Sequence, residues 1–361
     1  MSYSGDLHTL HFNVTNTCNL ACSFCYIDAV KAKTIEIPID RVRSLAEEAR
    51  ELGCKRVIVS GGELFARKDW FSICLAFDKF GIEVSLVTNG TLIGEKEAKL
   101  LAKLENLSIL ISIDGSASTH DQIRGKIGAY EKSVEGIELC KRYGLPTQVN
   151  ATIIKKNFED VVHLAELSLK YDILVRFSLL NPYNGRGPNL APDALDVAEI
   201  LQLRAFCSEL RTKGSRVFIN LPPLLLPAED VIPIRSPACG WTESYCGITH
   251  DGNVTICGVA GADKSLHQGN VMEQPLGNIW KNSPLFNQLR SYDTSDLKGV
   301  CARCKLSEIC GGACRLSAYK SSQDFKASYG MCQTFYDMGL IPEEALKPED
   351  GRRVGEPIPA E

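Results

Sequence analysis

Three cysteines near the amino terminus have a spacing that could hold an iron–sulfur cluster. Cys18, Cys22 and Cys25 lie in the short stretch "CNLACSFC". Three thiolates this close together can ligate three irons of a [4Fe–4S] cluster, which leaves the fourth iron open to a ligand that is not protein. A zinc site that takes its fourth ligand from elsewhere in the chain is the alternative. The stretch therefore favours a metal centre with one open coordination position.

A second group of cysteines lies in the carboxyl-terminal part of the chain. Its eight thiolates are the number that two fully ligated [4Fe–4S] clusters need, and a pair of zinc-ribbon sites is the alternative. The members of the group are Cys239, Cys246, Cys257, Cys301, Cys304, Cys310, Cys314 and Cys332.

Two of these cysteines are predicted to face each other across a β-hairpin. The dipeptide Asp251-Gly252 is typical of a two-residue type I′ turn. Counting back from that turn places Cys246 directly opposite Cys257, with about 4.5–5.5 Å between their Cβ atoms. The two thiolates could then bind one cluster from neighbouring strands.

The composition is ordinary for a globular enzyme and excludes some partners. Of 361 residues, 44% are hydrophobic and 23% charged, and the net charge of −4 provides no basic field for nucleic acid. The amino terminus lacks a signal peptide, and no apolar run approaches the roughly 18 residues of a membrane span. We therefore expect a cytoplasmic protein without a membrane partner, whose 15 cysteines stay reduced and mostly bind metal. Four isolated cysteines are predicted to be small buried hydrophobes: Cys54, Cys74, Cys140 and Cys207.

The elements that must position these residues alternate along the first half of the chain. Six β-rich runs are separated by five amphipathic segments, a pattern that predicts a parallel sheet with helical crossovers. We expect a partial six-unit (β/α) barrel of the α/β class, with ligands at the carboxyl ends of its strands. The predicted strands are 9–15, 55–61, 82–90, 106–115, 145–154 and 173–180.

The composition changes twice after the barrel. We expect the barrel to span 1–180, a bridging segment 181–238, and a cysteine-rich domain 239–335 that depends on metal rather than on a large core. The charged, proline-rich tail 336–361 is expected to be poorly ordered.

The amino-terminal motif resembles that of a known enzyme superfamily. "CNLACSFCY" matches the pattern CxxxCxΦC, with Phe24 as the aromatic residue, and resembles the radical S-adenosylmethionine (radical SAM) superfamily. The resemblance implies that the amino and carboxylate groups of SAM bind the open iron. It also implies that SAM is cleaved to a 5′-deoxyadenosyl radical that abstracts a hydrogen atom. "SGGEL" resembles the family's motif for the SAM amino group, with Gly61, Gly62 and Glu63, although Leu64 stands where the family usually has proline.

Further SAM contacts are implied by the same resemblance. Ser112 and Asp114 end the fourth strand and resemble a polar pair near the SAM carboxylate and ribose, while Arg124 resembles an arginine that binds the carboxylate. Tyr26 and Asn150 complete the expected cofactor contacts. The alternative is a solvated surface charge for Arg124 and plain packing for Asn150.

The cysteine-rich segment resembles the SPASM extension of one radical SAM branch. By that resemblance, auxiliary clusters I and II would bring the total to three [4Fe–4S] clusters, and the auxiliary clusters could accept an electron from a substrate radical. The implied ligands are Cys239, Cys246, Cys257 and Cys314 for cluster I, and Cys301, Cys304, Cys310 and Cys332 for cluster II.

Three functions compete on this basis. The first is a maturase that oxidises or crosslinks a ribosomal peptide. Only 17 residues precede Cys18, so we expect no leader-binding domain ahead of the barrel and allow for a separate recognition protein. The second is a tetrapyrrole or other small-molecule enzyme, similar to the proteins of the alternative haem and haem d1 pathways. The third, an iron–sulfur electron carrier, would gain nothing from an open iron.

Other residues bear on the reaction without deciding it. Related sulfatase-maturing enzymes place an aspartate after the third auxiliary cysteine, whereas this chain has Gly258, so that activity is not expected. Arg186 could meet a substrate carboxylate or simply be solvated. Tyr183 and His250 are candidate bases by position alone. A reductant such as flavodoxin or ferredoxin is the expected electron donor.

Overall fold

Nine strands form one sheet in the computed structural model, which describes residues 5–32, 34–231 and 239–348. The strands, in chain order, are β1 (Thr9–Asn13), β2 (Arg56–Ser60), β3 (Glu83–Thr88), β4 (Leu107–Ser112), β5 (Thr147–Ile153), β6 (Leu174–Leu179), β7 (Val217–Ile219), β8 (Tyr245–Ile248) and β9 (Val254–Thr255).

Helices occupy most of the connections between strands. In the described part of the chain they are α1 (Ile39–Glu51), α2 (Trp70–Asp78), α3 (Glu95–Leu101), α4 (Ala117–Arg124), α5 (Ala129–Arg142), α6 (Val161–Tyr171), α7 (Val197–Thr212), α8 (Ala228–Val231), α9 (Leu276–Asn282), α10 (Pro284–Arg290), α11 (Gly299–Arg303), α12 (Ser307–Cys310), α13 (Arg315–Ser322) and α14 (Gly330–Asp337).

The order of the strands confirms the predicted parallel (β/α) barrel. The sheet runs β7-β6-β5-β4-β3-β2-β1-β8-β9, and every neighbouring pair from β7 to β8 is parallel. Only β8 and β9 are antiparallel. The hairpin formed by β8 and β9 therefore extends the barrel sheet on the free side of β1, an addition that the strand predictions did not include.

The strands β3 to β6 are buried on one face and half-exposed on the other, whereas β1 is buried from Leu10 to Asn13. In β5, Val149, Ala151 and Ile153 are completely buried, whereas the residues between them are partly exposed. Near-continuous apolar runs, such as those of this sequence, are typical of strands that are covered on both faces. The alternation arises because the helices cover the outer face, while the inner face borders a cavity and carries polar side chains such as Asn150 and Thr152.

Helix α1 buries the apolar face that the spacing of its hydrophobic residues predicts. In α1 the buried residues are Val42, Leu45, Ala46 and Ala49, which is the i, i+3, i+4, i+7 spacing of one helical face. The same helix exposes Arg43, Glu47 and Arg50, whereas Arg41 and Glu48 form an ion pair at 2.6 Å with side chains only 17% and 21% exposed.

The chain divides into two compact units. The first contains 1–220 and 241–287 and holds the sheet; the second contains 221–240 and 288–361. In the second unit the helices α11 to α14 are short, with four to eight residues each. The predicted tail from 349 onwards, and residues 232–238 of the predicted bridge, lie outside the described residues. In the part that is described, no helix is long and apolar enough to cross a membrane.

Candidate active site

A cavity of about 360 Å³ opens at the carboxyl ends of the barrel strands. Ser60, Thr88, Ser112, Thr152 and Ser178 contribute polar side chains to its wall, one from each of five neighbouring strands. This is where a parallel barrel places its ligand. The cavity also gathers ten of the residues singled out in the sequence: Cys18, Cys22, Phe24, Cys25, Tyr26, Gly61, Gly62, Ser112, Arg124 and Asn150.

The three amino-terminal cysteines lie on a loop between β1 and α1, and each sulfur accepts one hydrogen bond. The backbone N–H of Leu20 donates to Cys18 Sγ at 3.4 Å, and that of Ala29 donates to Cys25 Sγ at 3.3 Å. The guanidinium of Arg124 donates to Cys22 Sγ at 3.6 Å. Hydrogen bonds to sulfur stabilise the thiolate form and tune a bound cluster.

Burial keeps two of these thiols protonated unless a cation is present. It raises the pKa of Cys18 to about 12 and also raises the pKa of Cys22. A coordinated metal removes the proton from such a thiol because its charge offsets the cost of burying the thiolate. Among the described residues, no three His, Cys, Asp or Glu side chains converge on the point where a single metal ion would sit.

Gly61 and Gly62 bring the end of β2 against the start of the cysteine loop. Gly61 has a φ of +140°, and a Cβ on Gly61 or Gly62 would overlap the backbone carbonyl of Thr15 or Thr17. The backbone N–H of Gly62 donates to Thr15 O at 2.8 Å, and that of Glu63 donates to Thr17 O at 2.9 Å. Glycine is needed here because two backbones are in direct contact.

Glu63 is buried and does not line the cavity. Its carboxylate accepts hydrogen bonds from the Thr88 hydroxyl at 2.7 Å, from the Asn89 N–H at 2.8 Å and from the Phe65 N–H at 3.2 Å. Burial raises its pKa against the effect of these donors. In this conformation Glu63 holds the end of β3 through these hydrogen bonds, and its neighbours Gly62 and Thr88 line the cavity instead.

Arg124 forms a buried ion pair beside the cysteines. Its Nη2 lies 2.5 Å from Asp114 Oδ2, and Asp114 is completely buried. The acidic partner raises the pKa of Arg124 above its usual value. The guanidinium lies 5.6 Å from the centre of the Phe24 ring. Its Nε is buried without a hydrogen-bond partner in the described residues, so an anionic ligand in the cavity would find a donor there.

Arg186 binds the cysteine loop and keeps 26% of its side chain exposed. Its side chain donates to Cys22 O at 3.0 Å, to Ala29 O at 2.5 Å and to Asp28 Oδ1 at 2.7 Å. Its backbone N–H donates to Cys25 O at 2.9 Å. The sequence did not reveal this role because the partners are about 160 residues away and are mostly carbonyls.

Asn150 faces the cavity from β5 and is hydrogen-bonded to its neighbour on β6. The hydroxyl of Ser178 donates to Asn150 Oδ1 at 2.8 Å. Tyr26 lies at the other side, where its hydroxyl contacts Ser60 Oγ at 2.8 Å and donates to Asn13 Oδ1 at 3.2 Å. Ser60, Thr88 and Thr152 were missed as site residues; the available signal is that each is a polar residue near the end of a strand.

The predicted register of the hairpin is wrong by one residue. Gly247 pairs with Thr255 and Ile248 with Val254, which is one residue away from the register that would place Cys246 opposite Cys257. The turn has three residues instead of two, with Gly252 at a φ of +97°. It closes this way because the Thr249 side chain caps it. That hydroxyl donates to Asp251 Oδ1 at 2.5 Å and accepts from the Asn253 N–H at 2.9 Å.

Four auxiliary cysteines line one small cavity inside the second unit. Its volume is about 20 Å³, and its wall includes Gly312 and Tyr329. The cysteines are the four that the SPASM resemblance assigns to cluster II: Cys301, Cys304, Cys310 and Cys332. Of the other four, Cys246 and Cys257 belong to the first unit, and Cys239 and Cys314 to the second.

The two candidate bases do not line the main cavity. Tyr183 is 38% exposed. His250 Nδ1 lies 2.6 Å from the carbonyl oxygen of Ile35, and His250 lines a separate cavity of about 200 Å³. The isolated cysteines Cys54, Cys74, Cys140 and Cys207 are buried, as predicted.

Comparison with known proteins identifies the family. A model of the radical SAM superfamily matches residues 12–168, and a model of the SPASM iron–sulfur cluster-binding domain matches 239–305. The AdoMet-dependent heme synthase of Methanosarcina barkeri is 28% identical over 343 residues, with 89% of this chain and 95% of that protein covered. The mycofactocin maturase MftC of Mycolicibacterium smegmatis is 26% identical over 347 residues, with coverages of 94% and 86%.

A solved structure shares the fold at lower sequence identity. Streptococcus suis SuiB bound to the precursor peptide SuiA aligns with a TM-score of 0.74 and 17% identity, over 91% of this chain and 76% of that one. The fold, the cysteine motif at the mouth of the barrel and both family matches agree. This chain belongs to the radical SAM superfamily and is an iron–sulfur oxidoreductase of its SPASM branch.

Proposed function

We propose that this enzyme is a maturase that abstracts a hydrogen atom from a ribosomal peptide. One observation carries the proposal: three cysteine sulfurs and a buried arginine with an unpartnered Nε share one cavity at the mouth of the barrel. A [4Fe–4S] cluster and SAM bound there would supply the 5′-deoxyadenosyl radical, formed when SAM takes up one electron and loses methionine.

The chain's own residues would bind and orient SAM. Cys18, Cys22 and Cys25 would hold the cluster and leave one iron for the amino and carboxylate groups of SAM. Arg124 would donate its free Nε–H to that carboxylate, and Asp114 would keep the guanidinium in place through their ion pair at 2.5 Å.

The remaining contacts would fix the other parts of the cofactor. Gly61 and Gly62 would offer backbone close to the amino group, with Glu63 holding the turn from behind. Ser112 and Asn150 would face the ribose. Phe24 and Tyr26 both line the cavity and would pack against the cofactor from the cysteine loop.

We further propose two auxiliary [4Fe–4S] clusters, which makes three in total. The cavity lined by Cys301, Cys304, Cys310 and Cys332 supports one of them. The auxiliary clusters would take one electron from the substrate radical, so that loss of a hydrogen atom and an electron amounts to a two-electron oxidation. Full loading would give about 12 irons per chain, and Cys304→Ser would give about four fewer.

A peptide substrate is supported by the similarity to the mycofactocin maturase, which extends over 94% of this chain. We propose that a separate protein presents the leader of the peptide and that flavodoxin or ferredoxin delivers electrons. These partners, like the reduced state of the thiols, fit a cytoplasmic setting.

A tetrapyrrole substrate is the second candidate. It is favoured by the similarity to the AdoMet-dependent heme synthase, which is 28% identical over 89% of this chain. Arg186, which could have met a substrate carboxylate, binds the cysteine loop instead. Because Arg186 is bound to the loop, a contact between Arg186 and a substrate carboxylate no longer supports a tetrapyrrole substrate.

The two candidates can be separated with enzyme reconstituted without oxygen. Dithionite, SAM and either a candidate precursor peptide or an iron tetrapyrrole with propionate side chains are added, and 5′-deoxyadenosine and product masses are measured. The proposal predicts about one 5′-deoxyadenosine per hydrogen removed from the peptide. Conversion of the tetrapyrrole alone would favour the second candidate.

The matched control for this assay is another buried cysteine. Cys22→Ala should abolish 5′-deoxyadenosine formation, whereas Cys74→Ala removes a thiol from α2 and should leave it unchanged. Equal activity of the Cys22→Ala variant and the unsubstituted enzyme would contradict the proposed cluster site.

A further inference from the structure

Arg315 is a buried arginine at the start of α13. Its exposure is only 2%, although arginine is rarely buried to this extent. The guanidinium donates to the carbonyls of Phe325 at 3.0 Å and Ala327 at 2.6 Å, and also to the carbonyl of Gly312. The acceptors of these three bonds are neutral backbone oxygens, and the Cys301 side chain is a further partner of Arg315.

No acidic side chain in the described part of the chain pairs with Arg315. The other two arginines that are buried there, Arg67 and Arg124, each form an ion pair with an aspartate, at 2.7 and 2.5 Å. A buried charge that lacks a counter-charge is strongly unfavourable. The buried charge of Arg315 would therefore be stabilised by an anion other than an aspartate or a glutamate.

The cavity lined by four cysteines lies next to this guanidinium. Gly312, whose carbonyl accepts a hydrogen bond from Arg315, also forms part of the cavity wall, together with Cys301 and Cys310. The Nε of Arg315 is buried and has no hydrogen-bond partner in the described residues. A donor and a positive charge therefore remain available on this side of the cysteines.

We propose that Arg315 is the counter-charge of the auxiliary cluster held by Cys301, Cys304, Cys310 and Cys332, and that it raises the reduction potential of this cluster. The inference rests on the proposed function, because it requires a cluster at that site. A [4Fe–4S] cluster with four thiolates is an anion, and reduction adds one electron and so one negative charge. A fixed positive charge in a poorly solvated site stabilises the reduced form more than the oxidised form.

The proposal gives Arg315 a role in accepting the electron of the substrate radical. A higher reduction potential of the cluster makes electron transfer from the substrate radical more favourable, and it requires no contact between Arg315 and the substrate. A purely structural role is the alternative: the three carbonyl bonds would tie the loop at Gly312 to the segment that contains Phe325 and Ala327.

Two substitutions separate charge from structure. Arg315→Gln removes the charge and keeps a side-chain donor, whereas Arg315→Lys keeps the charge and loses most of the hydrogen bonds. The control is Lys298→Gln in the same unit, which removes a charge whose side chain is 65% exposed and screened by water. The full-length reconstituted enzyme is titrated with dithionite, which supplies the electron, and followed by electron paramagnetic resonance (EPR). The signal that Cys304→Ser removes identifies the cluster.

The midpoint potential of that cluster should shift to more negative values in Arg315→Gln, shift less in Arg315→Lys and stay unchanged in Lys298→Gln. If Arg315→Gln loses the cluster while Arg315→Lys retains it, the role of the charge is supported as well. An unchanged potential in Arg315→Gln, or equal loss of the cluster from both Arg315 variants, would overturn the proposal. If Cys304→Ser removes neither iron nor signal, the proposed cluster itself is wrong, and this failure is distinct from the first.

Discussion

Replacing Arg186 by methionine should loosen the cysteine loop without unfolding the barrel. The change removes three side-chain hydrogen bonds and keeps the one from the backbone N–H to Cys25 O. The loop would then be held mainly by its own backbone bonds, such as the one from Cys18 N–H to Val30 O at 2.8 Å.

The size of the effect follows from the exposure of each partner. Asp28 is 64% exposed and Arg186 26%, so their ion pair contributes only about 0.5 kcal/mol. The two bonds to carbonyls are better shielded and come from a charged donor, which gives about 1–1.5 kcal/mol each. The total of about 2.5–3.5 kcal/mol corresponds to a roughly 70- to 370-fold increase in transient opening of the loop.

Hydrogen–deuterium exchange followed by mass spectrometry measures this opening. Peptides that cover residues 18–30 should lose protection by that factor in Arg186→Met and by less in Arg186→Lys. Arg142→Met is the matched control, because Arg142 is 64% exposed and pairs with Glu95 on the outside of the barrel. Protection of 18–30 within about threefold of the unsubstituted enzyme, or a loss spread evenly over the barrel, would show that Arg186 does not hold the loop.

Three other substitutions test the site from different directions. Gly62→Ala should lower the iron content and SAM binding because a Cβ there overlaps a carbonyl of the cysteine loop, whereas Gly330→Ala meets open space and should change neither, as iron analysis would show. Asp114→Asn leaves the charge of Arg124 buried and unpaired, which should cost about 3–5 kcal/mol of stability, and it should weaken SAM binding at least tenfold. Adding Arg124→Gln should recover part of the thermal stability but not SAM binding, and equal stability of the single and double variants would argue against the ion pair. Burial lowers the pKa of His120 to about 3 from 6.5, so the unfolded chain binds more protons between these values and stability falls as the pH drops below 6.5. His120→Asn should lack this part of the loss when melting temperatures at pH 7.5 and 5.5 are compared, and an unchanged pH dependence would contradict it.

The parts of the fold that depend on local pattern could be predicted from the sequence. The six barrel strands and the position of the cysteine loop after β1 follow from alternating apolar runs, because neighbouring residues in the chain decide them. The contact of Gly61 and Gly62 with another backbone also follows the ordinary meaning of paired glycines at the end of a strand.

The parts of the fold that depend on distant contacts could not be predicted from the sequence. The pairing of β8 with β1 joins segments more than 230 residues apart, and nothing local in "YCGI" indicates its partner. The register of the hairpin changed because a single hydroxyl, that of Thr249, selects a three-residue turn. The role of Arg186 was missed for the same reason, since its partners, two backbone carbonyls and the carboxylate of Asp28, are about 160 residues away in the chain.

The most direct test of the account is an EPR measurement on the reduced enzyme with and without SAM. We expect the signal removed by Cys22→Ala to change its g values when SAM is added, and ¹⁷O- or ¹⁵N-labelled SAM to produce hyperfine coupling to that cluster. A signal that SAM leaves unaltered, or zinc in place of iron at Cys18, Cys22 and Cys25, would contradict it.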